Sequence, residues 1–540
     1  MAQWANLAGG GAIFFVGLTV YWRLSRRAKE KARRERLRRE WGRQVERGGV
    51  EPGRPQRDSV ETEDPTHVRL DDQTWGDLLL DDVLERLDRT LTAVGSQTLY
   101  HWVRRPPDDA KTLASRQAMS DALSEDRRLR EQVQEGLLEL RVGGGKHLTR
   151  LLWGTIEESE LPLPLLRVLP LVLIGSLVGG AWLQSLPLLG LAVIVFVGNV
   201  VVHNRSTHSI APMLLAMEDV GRLVRAAQRL KKAPAVAQAE VLRPIHAELT
   251  EGTEGTGPLV RKTVALDFRD PFDLSEYLKT VLLMEVNRFY WAAKLLHEAQ
   301  PRLRRLFDAV GALDVAQATA SLHQGDDVCA PRFVTRSPGE PPSIEAGDLR
   351  HPLLSDPVGN DVQLKGHSLL VSGSNMSGKT TYLRTVAVNA VLAQSLGVVF
   401  GESWSGPPVR VASCINIRDD LLEGTSYFRA ELEAILAIVR RAESGGMLLV
   451  LDEIFRGTNP LERTAAATAV LDHLAGENLV LAATHDLAIG DQVSQGFSEA
   501  HFCEVPTEDD DELSLDFDYR LRNGRLERPN AIALLGRTGY

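Results

Sequence analysis

The most constraining feature of this 540-residue sequence is a run of 35 residues without a charged side chain, Val168 to Val202. A polar turn with a proline, Gln184 to Pro187, divides it into halves of about fifteen residues, and neither half keeps the polar stripe of a soluble helix. Arg167 precedes the run and Arg205 follows it, so a hairpin with both ends cytoplasmic satisfies the positive-inside rule. The pattern predicts a transmembrane hairpin over 165–203. Because each half is shorter than the ~20 residues of a full span, a shallow re-entrant hairpin stays open, as does a hairpin buried in a soluble core.

The N-terminus carries another candidate span. Ala5 to Trp22 is uncharged and mostly apolar, which suits a transmembrane helix over 1–22, and it lacks the features of a removable signal peptide. Arg23 to Arg47 then holds twelve Lys and Arg against four Glu. Basic residues beside a span keep that end in the cytoplasm, so we expect a multi-pass protein of the cell membrane with its bulk cytoplasmic. The interval 23–74 is predicted as a basic segment and linker, and attraction of its charge to anionic lipid or nucleic acid stays open.

The remaining chain changes character near residue 336. The intervals 75–164 and 204–335 show apolar residues at three- and four-residue spacing, which predicts two parts of one helical core. From 336 to 540, short apolar strands alternate with helices, which indicates an α/β domain with a mostly parallel sheet. Three cysteines without metal-site spacing favour reduced packing residues, and a formal net charge of −10 argues against a chain coated in nucleic acid.

A phosphate-binding motif stands near the start of the α/β part. The strand Ser368–Ser372 runs into Gly373-Ser-Asn-Met-Ser-Gly-Lys-Thr, and a helix over Thr381–Gln394 is predicted to follow. Glycines let backbone N–H groups turn around phosphate oxygens, and the helix N-terminus adds partial positive charge. We expect Lys379 to reach the outer phosphates of a nucleotide and the Thr380 hydroxyl to bind Mg²⁺.

Two acidic side chains follow the next apolar strand. Met447-Leu-Leu-Val-Leu delivers Asp452 and Glu453 to the carboxyl edge of the predicted sheet, where ligands of open α/β sheets bind. Asp452 suits the Mg²⁺ shell, and Glu453 suits the attacking water as base or orienting group.

Two further positions are candidates for phosphate contacts. The apolar strand that begins at Asn478 leads to His485, which could touch the γ-phosphate or the attacking water. Ser426 lies just before a helix predicted over Arg429–Arg440, where an anion-binding role and a plain helix cap are equally good interpretations.

Four motifs, in order and spacing, resemble those of the MutS family of DNA mismatch repair ATPases. They are Gly373-Ser-Asn-Met-Ser-Gly-Lys-Thr-Thr-Tyr-Leu-Arg, Asp419-Asp-Leu-Leu-Glu-Gly-Thr-Ser-Tyr-Phe-Arg-Ala-Glu-Leu, Leu451-Asp-Glu-Ile-Phe-Arg-Gly-Thr-Asn and Ala483-Thr-His-Asp. A weaker likeness begins in the helical part, so the resemblance covers roughly Trp75 to Tyr540. It implies a multidomain fold, in which a helical core, here with transmembrane helices, precedes an α/β P-loop (ABC-like) ATPase domain over 336–540.

The resemblance also implies site roles. Thr380 and Asp452 would serve Mg²⁺, while Glu453, His485 and Ser426 would serve catalysis. Two ATPase domains face each other in that family, and the loop with Ser426 completes the partner's site, which implies a homodimer. The residues that would bind ATP phosphates are Gly373, Ser374, Asn375, Met376, Ser377, Gly378, Lys379, Thr380 and Thr381.

The sequence also departs from the family. The chain before Asp82 contains no equivalent of the mismatch-reading domain, and the apolar hairpin interrupts the interval in which relatives extend their DNA-gripping helices. We therefore expect a membrane-anchored, dimeric MutS-like ATPase coupled to DNA binding. The alternative is a membrane-associated ATPase that acts on a protein or membrane partner without mismatch recognition.

Overall fold

The computed structural model describes residues 25, 28, 31–43, 69–140, 148–154, 163–257, 280–336, 339–374, 376–415, 427–455, 459–494, 496–505 and 516–526. The chain forms two compact units, of which the first comprises 1–50, 91–93 and 122–325 and the second 51–90, 94–121 and 326–540. The interval 75–164, predicted as one part of a helical core, is thus divided between the units. The predicted span over 1–22 lies outside the described residues.

The helices follow one another along both units, with a 3₁₀ turn at Glu240–Leu242. In chain order they are α1 (31–40), α2 (Asp72–Asp77), α3 (Leu80–Leu87), α4 (Ala93–Arg104), α5 (Ala110–Glu125), α6 (Arg127–Leu137), α7 (Leu148–Trp153), α8 (Leu163–Trp182), α9 (Leu186–Lys231), α10 (Pro234–Gln238), α11 (Arg243–Thr253), α12 (Met284–Gly325), α13 (Lys379–Leu396), α14 (Tyr427–Ala442), α15 (Pro460–Leu474) and α16 (Leu487–Gln492).

The strands all lie in the second unit. They are β1 (Arg332–Phe333), β2 (Ser343–Leu349), β3 (Asn360–Lys365), β4 (Ser368–Ser372), β5 (Ser403–Gly406), β6 (Arg410–Cys414), β7 (Met447–Asp452), β8 (Leu479–Thr484), β9 (Phe497–His501), β10 (Glu504–Val505), β11 (Asp516–Phe517) and β12 (Arg522–Asn523).

The first unit is helical and packs around the C-terminal part of α9. Buried apolar side chains recur on α9 at three- and four-residue spacing, from Val220 through Leu223 and Ala227 to Leu230. They face α6, α11 and α12 within the unit. Gly136 on α6 permits close approach, because a Cβ there would lie 2.5 Å from the Leu230 side chain.

Helices α8 and α9 form the hairpin expected from the uncharged run. The helices are longer than the fifteen-residue halves, because α8 has 20 residues and α9 continues without a break for 46 residues, past the predicted boundary at 203. Among the described residues, two windows are long and apolar enough to cross a membrane, Leu165–Trp182 and Leu186–Arg205, and only 22% and 17% of them are buried. The two helices pack on each other through Leu173, Ala192 and Val195, while their outer faces are exposed.

Part of the predicted basic segment is docked on the first unit. Leu37 of α1 is buried, and Arg38 donates to Glu131 on α6 at 2.9 and 3.2 Å. Arg130 lies over the Trp41 ring at 4.2 Å, and the Gly42 N–H donates to the Ser321 hydroxyl of α12. The pair of Arg38 with Glu131 thus neutralises part of the positive charge of the basic run within the protein.

The second unit is built on a six-stranded sheet of order β12-β9-β4-β8-β7-β6. Five strands are parallel and β12 is antiparallel to β9. Strands β4, β7 and β8 are buried along their whole length, as expected of parallel strands covered on both faces. A four-stranded sheet, β1-β5-β2-β3, and a two-stranded ribbon of β10 and β11 accompany it. A helical N-terminal region followed by a C-terminal α/β domain is therefore confirmed.

Helix α2 is bonded into this unit. Its cap, Asp71, accepts from the Thr74 N–H and hydroxyl, and Thr74 in turn accepts from the Ser413 N–H at the end of β6. The buried carboxylate of Asp77 accepts from the Ser413 hydroxyl and the Ile415 N–H, both at 2.9 Å. These bonds explain why residues 51–90 group with the sheet.

Candidate functional site

The loop between β4 and α13 contains two glycines with positive φ angles. Gly373 and Gly378 have φ angles of 148° and 102°, in the region that favours glycine. A Cβ on Gly373 would lie 2.8 Å from the Phe502 carbonyl oxygen, and one on Gly378 would lie 3.1 Å from the Tyr519 ring. The two motif glycines are therefore required both by conformation and by space.

Lys379 is the first residue of α13 and points back into the loop. Its Nζ donates to the carbonyl oxygens of Gly373 and Ser374 at 2.8 and 2.7 Å, and the side chain is only 4% exposed. The same nitrogen lies 3.9 Å from Oε1 of Glu453. The Lys379 ammonium is therefore positioned to contact an anion bound by the loop.

Thr380 and Asp452 meet as the sequence predicts for a metal site. The Thr380 hydroxyl donates to Oδ2 of Asp452 at 2.5 Å. One hydroxyl and one carboxylate are hard oxygen ligands that Mg²⁺ accepts alongside water and substrate phosphate. Among the described residues, no group of three or more His, Cys, Asp or Glu could hold a metal, so a Mg²⁺ at this pair would need further oxygen ligands from water or from a bound phosphate.

Glu453 lies between two nitrogen groups. Its Oε2 is 3.3 Å from Nδ1 of His485, its carboxylate is 9% exposed, and its N–H donates to the Ala483 carbonyl of β8 at 2.9 Å. His485 is about half exposed and is followed by Asp486, which caps α16 by accepting from Ala488 N–H. The adjacent strands β7 and β8 thus bring Glu453 and His485 together at the carboxyl edge.

The remaining predicted site residues divide into placed and unplaced ones. Ser374, Met376, Ser377 and Thr381 lie on the loop and the first turn of α13, with Met376 86% exposed and Ser377 buried. Asn375 and Ser426 lie outside the described residues, so their predicted roles stay predictions.

A cavity of about 520 Å³ opens beside the loop and reaches residues that the motifs did not single out. Its volume falls in the ordinary range of small-molecule sites. Its aromatic side includes Phe502 and Tyr382, whose rings meet edge to face at 5.9 Å, and Tyr519. The lining residues are Leu349, His351, Leu354, Asp356, Val358, Asn360, Met376, Gly378, Lys379, Thr380, Thr381, Tyr382, Thr385, Glu453, Phe502 and Tyr519.

Tyr519 is placed by a side chain far away in the sequence. Asn360 donates from Nδ2 to the Tyr519 carbonyl at 2.9 Å and accepts the Leu521 N–H on Oδ1 at 2.7 Å. In the sequence, only the alternation of Phe517 and Tyr519 with aspartates marks this segment. That pattern predicts an ordinary strand and does not indicate that Tyr519 lines a cavity.

His351 is the other cavity residue with distinctive chemistry. Burial, and secondarily the charge of Arg384, lower its pKa to about 4. Its Nδ1 accepts the Leu353 N–H at 3.3 Å, so the neutral ring carries its proton on Nε2.

Comparison with known proteins agrees with this geometry. Residues 369–535 match the family model of MutS domain V. The chain is 32% identical over 269 residues to a DNA mismatch repair protein MutS of Natronomonas pharaonis, covering 47% of this chain and 30% of that protein. It is 33% identical over 219 residues to MutS of Geobacillus thermodenitrificans, covering 38% of this chain and 23% of that protein.

A eukaryotic relative gives the same result. The DNA mismatch repair protein MSH3 of Vanderwaltozyma polyspora is 29% identical over 266 residues, covering 46% of this chain and 25% of that protein. The chain therefore spans less than a third of the length of these relatives. The predicted MutS resemblance is confirmed for the region that contains the site.

Replacing Glu453 by Gln tests its predicted role as the base or orienting group for the attacking water. The change keeps size but removes the carboxylate charge, so we expect ATP affinity to stay within a few-fold while turnover falls about 100-fold or more. Steady-state hydrolysis and fluorescent-nucleotide binding measure the two effects. The exposed Glu443→Gln serves as control, and unimpaired turnover in the Glu453 variant would remove this residue from its role.

His351 predicts a pH dependence of stability. Its pKa is lowered in the folded state, so the neutral ring favours folding above pH 6.5 and that contribution is lost as pH falls toward 4. Between pH 8 and pH 5 the loss is about 2 kcal/mol. Denaturant unfolding of the wild type and His351→Gln across this range measures it. The loss should shrink in that variant and persist in His367→Gln, which changes an exposed histidine; equal pH slopes in all three proteins would contradict the assignment.

Proposed function

We propose that this chain is a membrane-anchored MutS-like ATPase that binds and hydrolyses ATP with Mg²⁺. The observation that carries the proposal is the convergence of Lys379, the Thr380–Asp452 pair and the Glu453–His485 pair at one edge of the sheet. The match of residues 369–535 to MutS domain V supports it.

The residues have separable tasks in this reaction. The loop N–H groups and Lys379 hold the phosphates, while the adjoining cavity is large enough for the nucleoside. Mg²⁺, held by Thr380 and Asp452, would neutralise charge on the phosphate oxygens. Glu453 orients the attacking water and accepts its proton, and His485 fixes the carboxylate of Glu453 from the exposed side.

A homodimer through the ATPase domains is part of the proposal. Met376 at the phosphate loop and Leu461 at the start of α15 are more than four-fifths exposed. Large apolar side chains exposed beside a functional site suit contact with another protein surface. In the dimer, Ser426 of each chain completes the site of the other.

Membrane insertion rests on the hairpin of α8 and α9. Leu171, Val178, Leu186 and Ile194 are each more than 60% exposed, and the two windows contain no charged side chain apart from Arg167 and Arg205 at their cytoplasmic ends. A soluble protein rarely exposes so continuous an apolar surface. A helix of 20 residues is about 30 Å long, which equals the hydrocarbon thickness.

Three arginines of the helical unit are paired with carboxylates of the same unit. Arg222 pairs with Asp219 at 2.8 Å, Arg229 pairs with Glu139, and Arg38 pairs with Glu131. Paired cations have less charge to offer to a phosphate backbone. A protein or membrane partner is therefore retained beside DNA as the object of the ATPase cycle.

The ATPase activity is tested with the full chain purified in detergent. We expect hydrolysis that requires Mg²⁺ and is lost in Lys379→Ala, because that change removes the phosphate-binding cation. The wild-type rate is compared with and without duplex, branched and single-stranded DNA at low and moderate salt. Stimulation that weakens steeply with salt favours DNA coupling, a rate insensitive to DNA favours the other partner, and absence of hydrolysis contradicts the proposal.

The hairpin topology is tested by labelling engineered cysteines. Gln184→Cys at the turn should react with a membrane-impermeant maleimide in sealed cells, whereas Asn204→Cys should react only after permeabilisation. The three natural cysteines all lie in the second unit, which the proposal places in the cytoplasm. The wild-type chain therefore measures their labelling after permeabilisation, and this background is subtracted from both variants. Protection of position 184 in sealed cells would leave a re-entrant or soluble hairpin.

A further inference from the structure

The turn that carries Glu453 has an uncommon backbone. Glu453 and Phe455 have φ angles of 48° and 63°, in the left-handed region that side chains other than glycine and asparagine rarely adopt. Such conformations persist where neighbouring groups hold them, and they cluster at functional sites. The direction of the Glu453 carboxylate therefore depends on what holds this turn.

A buried carboxylate on the neighbouring helix binds the turn. Oε1 of Glu431, on α14, accepts the Phe455 N–H at 2.5 Å, and Glu431 is 1% exposed. A carboxylate in such surroundings is costly unless hydrogen bonds satisfy it. Its bond to the Phe455 N–H fixes the backbone two residues beyond Glu453.

Packing joins the same two elements. Glu431 lies on the buried face of α14 together with Ile435 and Ile438. Those isoleucines share one apolar cluster with Ile454 and Phe455 of the turn. Close-packed side chains transmit displacement, so α14 and the turn move together.

We propose that Glu431 is a positioning residue that fixes the direction of the Glu453 carboxylate through its bond to the Phe455 N–H. Without this acceptor, the turn from Glu453 to Phe455 loses the hydrogen bond that ties it to α14. The inference rests on the proposed ATPase function and adds to it a residue that holds the proposed catalytic carboxylate in place.

The location of Glu431 predicts that its substitution changes turnover and not nucleotide binding. Within the described part of the chain, the cavity beside the phosphate loop is lined by Glu453 but not by Glu431. Loss of the Glu431 acceptor should therefore change kcat and leave nucleotide affinity intact.

The test compares a substitution of Glu431 that keeps an acceptor for the Phe455 N–H with one of similar size that removes it. Glu431→Gln keeps a carbonyl oxygen for the Phe455 N–H, whereas Glu431→Met keeps the volume and loses it. We expect kcat of Glu431→Gln to stay within about threefold of the wild type and kcat of Glu431→Met to fall at least tenfold. The Kd for a fluorescent ATP analogue should change less than twofold in both. Glu433→Gln, with a 61% exposed side chain on the same helix, is the control.

Each outcome has a definite meaning. Equal kcat values for Glu431→Gln and Glu431→Met, or a parallel loss of nucleotide binding, would overturn the inference while leaving the ATPase function intact. A wild-type chain without hydrolysis would instead contradict the proposed function. Should Glu431→Met fail to fold, Glu431→Asp withdraws the carboxylate by one methylene, and an unchanged kcat in that variant overturns the inference.

Discussion

The hydrogen bond between the Thr380 hydroxyl and the Asp452 carboxylate joins the two motifs on which the whole site depends. Strands β4 and β7 are not neighbours, because β8 lies between them in the sheet. The first turn of α13 crosses this gap and brings Thr380 to the end of β7. Lys379 and Glu453 are each one residue away from this pair, which explains why their side chains also approach within 3.9 Å.

The parts of the site that sequence could predict are those fixed by local structure. Two buried strands are each followed directly by polar residues, Lys379-Thr380 after the glycine loop and Asp452-Glu453 at the end of β7. In a parallel sheet the carboxyl ends of the strands lie at one edge, so both sets of residues lie at that edge. Tyr519 could not be predicted in this way, because its place is set by Asn360, about 160 residues earlier in the chain. Glu431 lies within the second of the four family-like motifs, but the motif assigned it no role, and only its bond to the Phe455 N–H shows what its carboxylate holds.

The order of a helical part followed by an α/β part was predictable, but the grouping of α2 with the sheet was not. Helical periodicity separates 75–335 from the α/β part, yet α2 belongs with the sheet because Asp77 accepts from Ser413 and Ile415. Periodicity records which face of a helix is buried and not which partner covers it. Likewise the interval 23–74 was predicted as a basic segment and linker, and its pattern did not show that Leu37 is buried or that Arg38 pairs with Glu131.

The second half of the uncharged run is the N-terminal part of a single long helix. Helix α9 leaves the hairpin turn at Leu186 and ends at Lys231, which at 1.5 Å per residue gives about 69 Å of uninterrupted helix. Its first part is exposed and apolar, and its last part, from Val220 to Leu230, lies in the core of the first unit. The hairpin base is also bound to that unit, because Asn199 donates to the Val281 carbonyl and Asn287 donates to the Leu166 carbonyl, both at 2.8 Å. A displacement of this core therefore moves the hairpin with it, because the hairpin continues into the core as one helix and is hydrogen-bonded to it at its base.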